Sequence, residues 1–380
     1  MRAALSILFF WIPLGLIGYH WLLFPLALWA WARLRPRRYA PVESSEPPSV
    51  SIVIAARNEG AILAGKIKNC LDIDYPRDKV QIIIGSDAST DSTDEVAGLF
   101  ADQGVRLIKC EPRMGKTAVL NRLMLAAAGE ILFCTDADVS VSPDALALMT
   151  RCMQDPRVGV VTPRYVRVNE QGSPAEGIYD RWETKLKEWE GKIGATVGVY
   201  GGALLIRRSL ADPIPDDTIL DDFVLGIRSF RHGFDVVSEP AAVAVTRTEV
   251  ERLEFVRKAR IGRGNMQALL RSVDLLSPVY GRKAWIYLSH KVIRMFVPCF
   301  LLSTLLCSAV FSTSSLFAVA FWVQLLAYLT VPALFVLPQR LRKFLLVQYY
   351  LYLNIALVVG YWQYFFGRRP VSNWLRTARR

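Results

Sequence analysis

Acidic residues are missing from both flanks of this 380-residue chain. None lies between Met1 and Tyr39, where five Arg stand, and none between Arg282 and Arg380, where there are twelve Lys or Arg. Of the 46 basic residues 17 therefore sit in the flanks, which leaves 29 in the middle against all 34 acids. The net charge of +12 is thus not a polyanion-binding surface. The basic excess lies beside apolar segments, where it reports membrane orientation, and a nucleic-acid partner is not expected. Cysteine and histidine are scarce as well. The six Cys, at 70, 110, 134, 152, 299 and 307, form no CxxC pair, and no His has a second His or Cys at ligand spacing. Nothing points to a zinc site, and the cysteines read as reduced packing residues. His232 reads as a surface residue and His290 as an interfacial one.

Long apolar runs are what the flanks have instead. Ala3 to Ala32 carries no charge, and roughly 20 such residues span a bilayer. Ala30-Trp31-Ala32 resembles a signal-peptidase site, but the length of the run and Arg33, Arg35, Arg37 and Arg38 after it read as an anchor with the following domain in the cytoplasm. Met295 to Gln339 is uncharged over 45 residues, with Ser312-Thr313-Ser314-Ser315 as the natural turn between two spans, and Phe344 to Gly367 is a third candidate. Two crossings return Arg340, Arg342 and Lys343 to the cytoplasm; a third exports Arg368, Arg369, Arg376, Arg379 and Arg380, so one segment is re-entrant or interfacial in an alternative topology. Lys283 to Arg294, basic and rich in Trp, Tyr and Ile, reads as a helix in the headgroup layer. The expected division is an anchor over 1–39, a polar linker over Pro41–Pro48, a soluble domain over 49–281, and an interfacial helix with membrane spans over 282–380.

The middle alternates short apolar runs with helical stretches. Strands are expected at Val50–Ala55, Gln81–Gly85, Val105–Lys109 and Glu130–Cys134, and helices at Ala61–Leu71, Ser92–Phe100 and Thr117–Ala128. That alternation makes an α/β fold, a mostly parallel sheet with helices on both faces and its ligand site beyond the strands' carboxyl ends. Polar residues collect there. The second strand is followed by Ser86-Asp87-Ala88-Ser89-Thr90-Asp91, which reads alternatively as a capped turn. The third is followed by Arg113-Met114-Gly115-Lys116, and the fourth by Asp136-Ala137-Asp138. Two carboxylates beyond an apolar strand need a cation, and Mg²⁺ or Mn²⁺ takes such oxygens together with substrate phosphates.

These residues resemble a known family. Ile54-Ala55-Ala56-Arg57-Asn58-Glu59, Asp87 to Asp91, Gly115-Lys116 with Leu120-Asn121, and Asp136-Ala137-Asp138 are similar, in order and spacing, to the GT-A domain of family 2 inverting glycosyltransferases. Gly201-Gly202-Ala203 with Arg207-Arg208, Leu220-Asp221-Asp222, Gly233 to Val237 with Glu239-Pro240, and Arg257-Lys258-Ala259-Arg260-Ile261 extend the likeness over Ser49–Gly264. With the flanking spans it resembles the membrane-embedded branch that includes cellulose, hyaluronan and poly-N-acetylglucosamine synthases.

The resemblance implies roles residue by residue. Ala55, Arg57 and Glu59 would line the nucleotide pocket, with Asp87 at its uracil or ribose end and Lys116 near the base or phosphates. Asp136 would lie near the ribose or the metal, and Asp138 would ligate the metal on the diphosphate. Asp222, beside Asp221, would be the general base; these two read alternatively as a cap on the helix that follows. Arg257 and Arg260 would belong to the nucleotide-sugar site, with Arg260 on the diphosphate, and Gly201, Gly202, Trp182 and Trp189 would form the acceptor site. For Tyr179–Lys192, which carries both Trp, the alternative is an amphipathic helix on the sheet. In the Q-x-x-R-W motif Gln is Arg257 and Trp is Ile261, so addition of one or a few sugars stands beside processive synthesis. What is implied is a metal-dependent transfer from a UDP-sugar to a saccharide or lipid-linked acceptor in polysaccharide biosynthesis, by a multi-pass inner-membrane protein acting alone, as a homo-oligomer or with a synthase partner subunit. A lipid glycosyltransferase or a non-catalytic membrane subunit is the alternative.

Overall fold

The computed structural model describes residues 2–39, 46–169, 171–173, 177–247, 251–336 and 346–367. Arg340, Arg342, Lys343, the five arginines of 368–380 and most of the linker lie outside the described residues. The chain divides into two units, one of residues 28–249, 272–286 and 369–380 and one of 1–27, 250–271 and 287–368.

The first unit is built on eight strands: β1 Val50–Ala56, β2 Val80–Asp87, β3 Val105–Cys110, β4 Ile131–Thr135, β5 Ser140–Val141, β6 Val158–Val168, β7 Ala203–Arg207 and β8 Asp235–Arg247. They lie in the order β3-β2-β1-β4-β7-β6-β8-β5. The first four are parallel, as the alternation of strands with helices predicts. β7 then enters antiparallel between β4 and β6, which the sequence reading did not assign. Six helices accompany the sheet: α1 Gly60–Leu71, α2 Thr93–Gly98, α3 Lys116–Ala126, α4 Ala145–Met153, α5 Ile178–Lys192 and α6 Asp221–Arg231.

Period-two alternation sorts these helices between the faces. Ile52, Ile54, Ile82 and Ile84 pack with Leu63 and Ile67 of α1, Ala97 of α2 and Met149 of α4 in one buried cluster. Gly85, one step out of that alternation, faces α3 so closely that a Cβ there would sit 2.5 Å from Val119 Cγ1. Buried on both sides, β1 has no exposed residue along its length. Because β1, β2 and β4 run the same way, Ala56, Asp87 and Thr135 end at one edge, where the loops carry the chemistry.

The opposite edge carries a different device. Asp235 opens β8, and its side chain is 2% exposed. Its carboxylate receives Arg37 Nε at 2.8 Å, the Arg282 guanidinium, Lys283 Nζ at 3.5 Å and the Tyr39 hydroxyl at 3.2 Å. Burial and the Asp235 charge together push the Tyr39 phenol well above its ordinary value, so it stays a donor. Gly194, at φ +68°, lies against both, and a Cβ there would meet Asp235 Cγ at 2.7 Å.

Among the described residues two helices are long and apolar enough to cross a bilayer, Ala4–Leu34 and Arg282–Val310. Lys283–Arg294 runs on without a break into the apolar helix as its first turns. Within the second unit, the expected turn falls at 311–314, between Ile293–Val310 and Ser315–Leu329. His290 is buried, with its ring 6.0 Å from Phe24. Helices Glu251–Leu270 and Leu346–Phe366 touch through glycine: a Cβ on Gly360 would meet Ala259 O at 2.1 Å.

Removing the Asp235 charge leaves three cations around one buried point. Asp235→Asn is expected to cost about 3 kcal/mol, the lower end for a broken buried pair because Arg37 and Arg282 keep 31% and 22% of their side chains exposed. Thermal unfolding in detergent checks this; an unchanged midpoint would contradict it.

Candidate active site

Loop-to-loop hydrogen bonds assemble the carboxyl edge. Asp87, buried at the end of β2, accepts the amides of Met114 at 2.6 Å and Gly115 at 2.9 Å, and so fixes the loop that enters α3. Gly115 takes φ +94°, which a side chain would resist. Asp91 accepts the amides of Gly60 and Thr93, both at 3.0 Å, and Asn58 Oδ1 accepts Thr90 N at 2.9 Å. Burial works to raise the Asp91 carboxyl, but the Thr93 and Gly60 hydrogen bonds outweigh it and hold the group below the usual carboxylate range. Asn58 and Ala88 sit at φ +55° and +48°. These are uncommon for residues with a side chain, and such strain gathers at functional edges.

Fixing that loop places Lys116, the first residue of α3. Its Nζ lies 2.8 Å from Asp136 Oδ1 and 3.4 Å from Asp221 Oδ2. Burial would lower its pKa, but Asp136, Asp221 and Asp222 more than offset this and hold the ammonium far above its ordinary value. Burial also lifts the Asp136 carboxyl; Lys116 pulls it back, while Asp138 and Asp221 add to the rise. Ala55, Lys116, Asp136, Gly201 and Asp221 line one cavity, with Leu120 on its wall. Asp222 abuts that wall, since a Cβ on Gly201 would lie 2.5 Å from Asp222 Oδ2. Cys134 borders the cavity too, and burial pushes its thiol up to about 12, so it is a packing residue at neutral pH.

Two supports of this cavity had no role in the sequence reading. Asn121 Nδ2 donates to Ile214 O at 2.7 Å and Asp216 Oδ1 at 2.8 Å, and its Oδ1 accepts Ile214 N at 3.0 Å. Thr117 Oγ1 donates to Thr218 O at 2.9 Å. α3 thereby holds the segment that delivers Asp221 and Asp222, which gives the Leu120-Asn121 part of the motif a structural task. The second support is Lys66. It is buried beneath the Asp136-Ala137-Asp138 turn, and its Nζ donates to Thr135 Oγ1 at 2.9 Å and Val139 O at 2.6 Å. Burial lowers its pKa, against the opposing pull of Cys70, Asp136 and Asp138. The signal was present: Leu63, Lys66, Ile67 and Cys70 are spaced as one buried helical stripe, and a lysine on such a stripe needs an acceptor.

The other expected residues are not in the lining of that cavity. Arg57 and Glu59 stand half-buried beside the strained Asn58, with Glu59 N bonded to Thr93 Oγ1 at 2.8 Å. Asp138 is exposed, with Thr246 Oγ1 3.5 Å from its carboxylate. Gly202 O accepts Asp136 N at 3.1 Å and Thr135 Oγ1 at 2.9 Å. Trp182 and Trp189 are on α5, which packs on β8 through Gly191. They project roughly 150–170° around that helix from the face formed by Asp180, Glu183, Thr184 and Lys187, which lines a cleft. Arg257 and Arg260 stand on helix Glu251–Leu270 in the other unit, where Arg257 pairs with Glu254 at 3.4 Å.

Comparison with known proteins identifies the domain. Residues 51–212 match glycosyl transferase family 2. A beta-monoglucosyldiacylglycerol synthase of Nostoc sp. (strain PCC 7120) is 30% identical over 215 residues, which are 53% of this chain and 45% of that protein. A probable glycosyltransferase of Bacillus subtilis (strain 168) is 25% identical over 244 residues, 60% of this chain and 57% of that one. The chain spans about half the length of the curated relatives it matches. Among solved structures, a mannosyltransferase from Pyrobaculum calidifontis in complex with GDP-Man and Mn²⁺ superposes with a TM-score of 0.69 at 21% identity, over 94% of this chain and 99% of that one. Residues 51–212 are therefore a glycosyl transferase family 2 domain, carried on a GT-A fold.

Proposed function

We propose that this protein is a membrane-anchored inverting glycosyltransferase that moves a sugar from a nucleotide sugar, a UDP-sugar by the sequence resemblance, to a saccharide or lipid-linked acceptor. The observation that carries the reading is the convergence of Lys116, Asp136 and Asp221 on one cavity, with Asp222 held against Gly201 at its wall.

The chemistry follows from that arrangement. Asp222 takes the proton of an acceptor hydroxyl while its oxygen forms a bond to the anomeric carbon of the donor. The carbon's bond to the diphosphate breaks in the same displacement, the electron pair leaves with the nucleoside diphosphate, and the anomer inverts. Lys116 keeps Asp136 and Asp221 in register as the charge moves. Among the described residues no cluster of three or more His, Cys, Asp or Glu would hold a metal ion by itself. Two carboxylates on one turn, Asp136 and Asp138, nevertheless fit a Mg²⁺ or Mn²⁺ that completes its shell with substrate phosphates. Such an ion supplies neutralisation of the departing diphosphate charge.

Membrane placement rests on the two apolar helices and on Arg33, Arg35, Arg37 and Arg38 directly after the first. Basic residues at that position favour a cytoplasmic domain on a multi-pass inner-membrane protein. Where the sequence replaces both Gln and Trp of the Q-x-x-R-W motif, the acceptor end loses its stacking ring. That favours single additions to a lipid-borne acceptor over processive polymerisation, as the name of the Nostoc relative also suggests.

With Mn²⁺ or Mg²⁺ and a panel of nucleotide sugars, purified protein is expected to release nucleoside diphosphate from one donor. Asp138→Ala and Asp222→Asn are expected to lower that rate by about 10²–10⁴-fold, with donor binding retained in Asp222→Asn. Absence of turnover with every donor, even when membrane lipid extract is supplied, would sink the reading in favour of a binding subunit. Gly201→Ala pushes a methyl group into the Asp222 carboxylate, the mobile end of a side chain. The variant is expected to fold with an unchanged melting temperature and to lose about 10²-fold in kcat. Wild-type kcat in that variant would remove Asp222 from the role of base.

A further inference from the structure

Three arginines at the end of the first apolar helix serve neither the fold nor the chemistry above. Arg33, Arg35 and Arg38 are exposed, and among the described residues no carboxylate pairs with any of them. Helical structure stops at Leu34, yet the segment that follows is fastened at three points. Arg37 N donates to Lys192 O at 2.8 Å, Arg37 Nε meets Asp235 at 2.8 Å, and Arg38 O accepts Arg157 Nη2 at 2.7 Å. The arginines are thus held on a fixed backbone, unlike those of a basic tail. The neighbouring acids do not neutralise them. Asp235 already has three cations and the Tyr39 hydroxyl, and Asp155 takes Arg157 Nε at 2.9 Å and Nη2 at 2.6 Å. With Arg37, Arg157, Arg282 and Lys283, the three arginines bring seven cations to two acids.

The surface beside them is apolar and aromatic. Trp29, Trp31 and Leu34 are 42%, 38% and 78% exposed, Trp31 stacks on Trp285 at 5.4 Å, and the Arg33 guanidinium lies 6.0 Å from the Trp29 ring. A partner that covers both parts carries an anion joined to an apolar body. A nucleic acid or an acidic protein matches the charge but leaves the exposed rings and Leu34 in water. A zwitterionic lipid covers the apolar part but brings its own cation to the arginines. An anionic phospholipid fits both, because a guanidinium holds a phosphate through paired N–H donors and indole rings settle at the headgroup level.

We propose that this fastened basic segment is a docking surface for anionic phospholipid headgroups in the leaflet that faces the soluble domain. The assignment rests on the membrane-anchor reading for its setting, and alkaline carbonate extraction of cell membranes tests that reading by itself: a chain released into the supernatant removes the anchor. For the docking surface, the full chain in a neutral detergent at physiological ionic strength is titrated with dihexanoyl phosphatidylglycerol, dihexanoyl phosphatidylcholine or inorganic phosphate, and bound ligand is counted by native mass spectrometry. Phosphatidylglycerol is expected to bind about tenfold tighter than phosphatidylcholine, with a preference that shrinks as salt is raised. Combining Arg33→Gln, Arg35→Gln and Arg38→Gln is expected to abolish the preference and to leave the unfolding midpoint in detergent unchanged, since none of the three has a carboxylate partner to lose. A charge-matched variant with Lys68→Gln, Arg106→Gln and Arg151→Gln, all exposed on the same unit, is expected to keep it. Equal binding of the two lipids, a preference that survives the arginine variant, or one lost equally in the charge-matched variant overturns the assignment. So does inorganic phosphate that displaces the lipid at equal concentration, which marks a plain anion site, or an RNA oligonucleotide that binds there more tightly than the lipid.

Discussion

One ammonium group holds the reacting edge together. Lys116 stands between Asp136, at the end of β4, and Asp221, at the start of α6, elements 85 residues apart in the chain. Without it, Asp136, Asp221 and Asp222 would stand together uncompensated and repel, and burial would drive at least one to protonate. The pair is valuable for position more than for stability, because both partners remain partly exposed, at 21% and 33%, and an ion pair of that kind contributes little net free energy. What the contact fixes is the distance between the turn expected to face the diphosphate and the helix end expected to face the acceptor.

That contact depends in turn on hydrogen bonds made by residues whose types suggest chemistry. Asp87 is bonded to two amides that set the entry to α3, Asp91 and Asn58 tie one loop to another, and Asn121 holds the segment ahead of Asp221. Polar residues at the carboxyl edge of a sheet are thus of two kinds. Some face the cavity; others satisfy the backbone of loops that have no ladder to join. Both kinds are fixed in place by the same fold, and a motif written in letters does not separate them.

The first four strands and three helices were legible because each is a single run of one period. Val50–Ala56 is apolar throughout, and helical spacing resumes after each turn. The second half was harder for physical reasons. β7 pairs antiparallel with β4 after a long excursion, and no local pattern states which neighbour a five-residue apolar run will choose. The cavity residues Ala55, Lys116, Asp136, Gly201 and Asp221 were found through motif order. Lys66 was not, since a lone lysine in a helix is usually solvated. Trp182 and Trp189 drew attention as large aromatic rings, whereas the rings that stack closely are Tyr165 and Tyr200, which lie on different segments and which no local pattern pairs.

The sheet also separates its two tasks by direction. β1, β2, β4, β6 and β8 all run the same way, because β7 is antiparallel to both β4 and β6 and β8 is parallel to β6. Asp235 opens β8 and so belongs to the amino edge, while Asp87 and Asp136 follow strand ends at the carboxyl edge. The residues that follow the first apolar helix, Arg37 and Tyr39, and those that begin the second, Arg282 and Lys283, converge on Asp235. Trp31 and Trp285, just outside them, stack at 5.4 Å. Basic and aromatic residues of this kind gather where a chain leaves a bilayer, and here they are fastened to the amino edge, away from the loops that carry Lys116 and Asp136. The carboxyl edge is held separately, by the Lys116 ion pairs and by the hydrogen bonds of Asp87, Asp91 and Asn121.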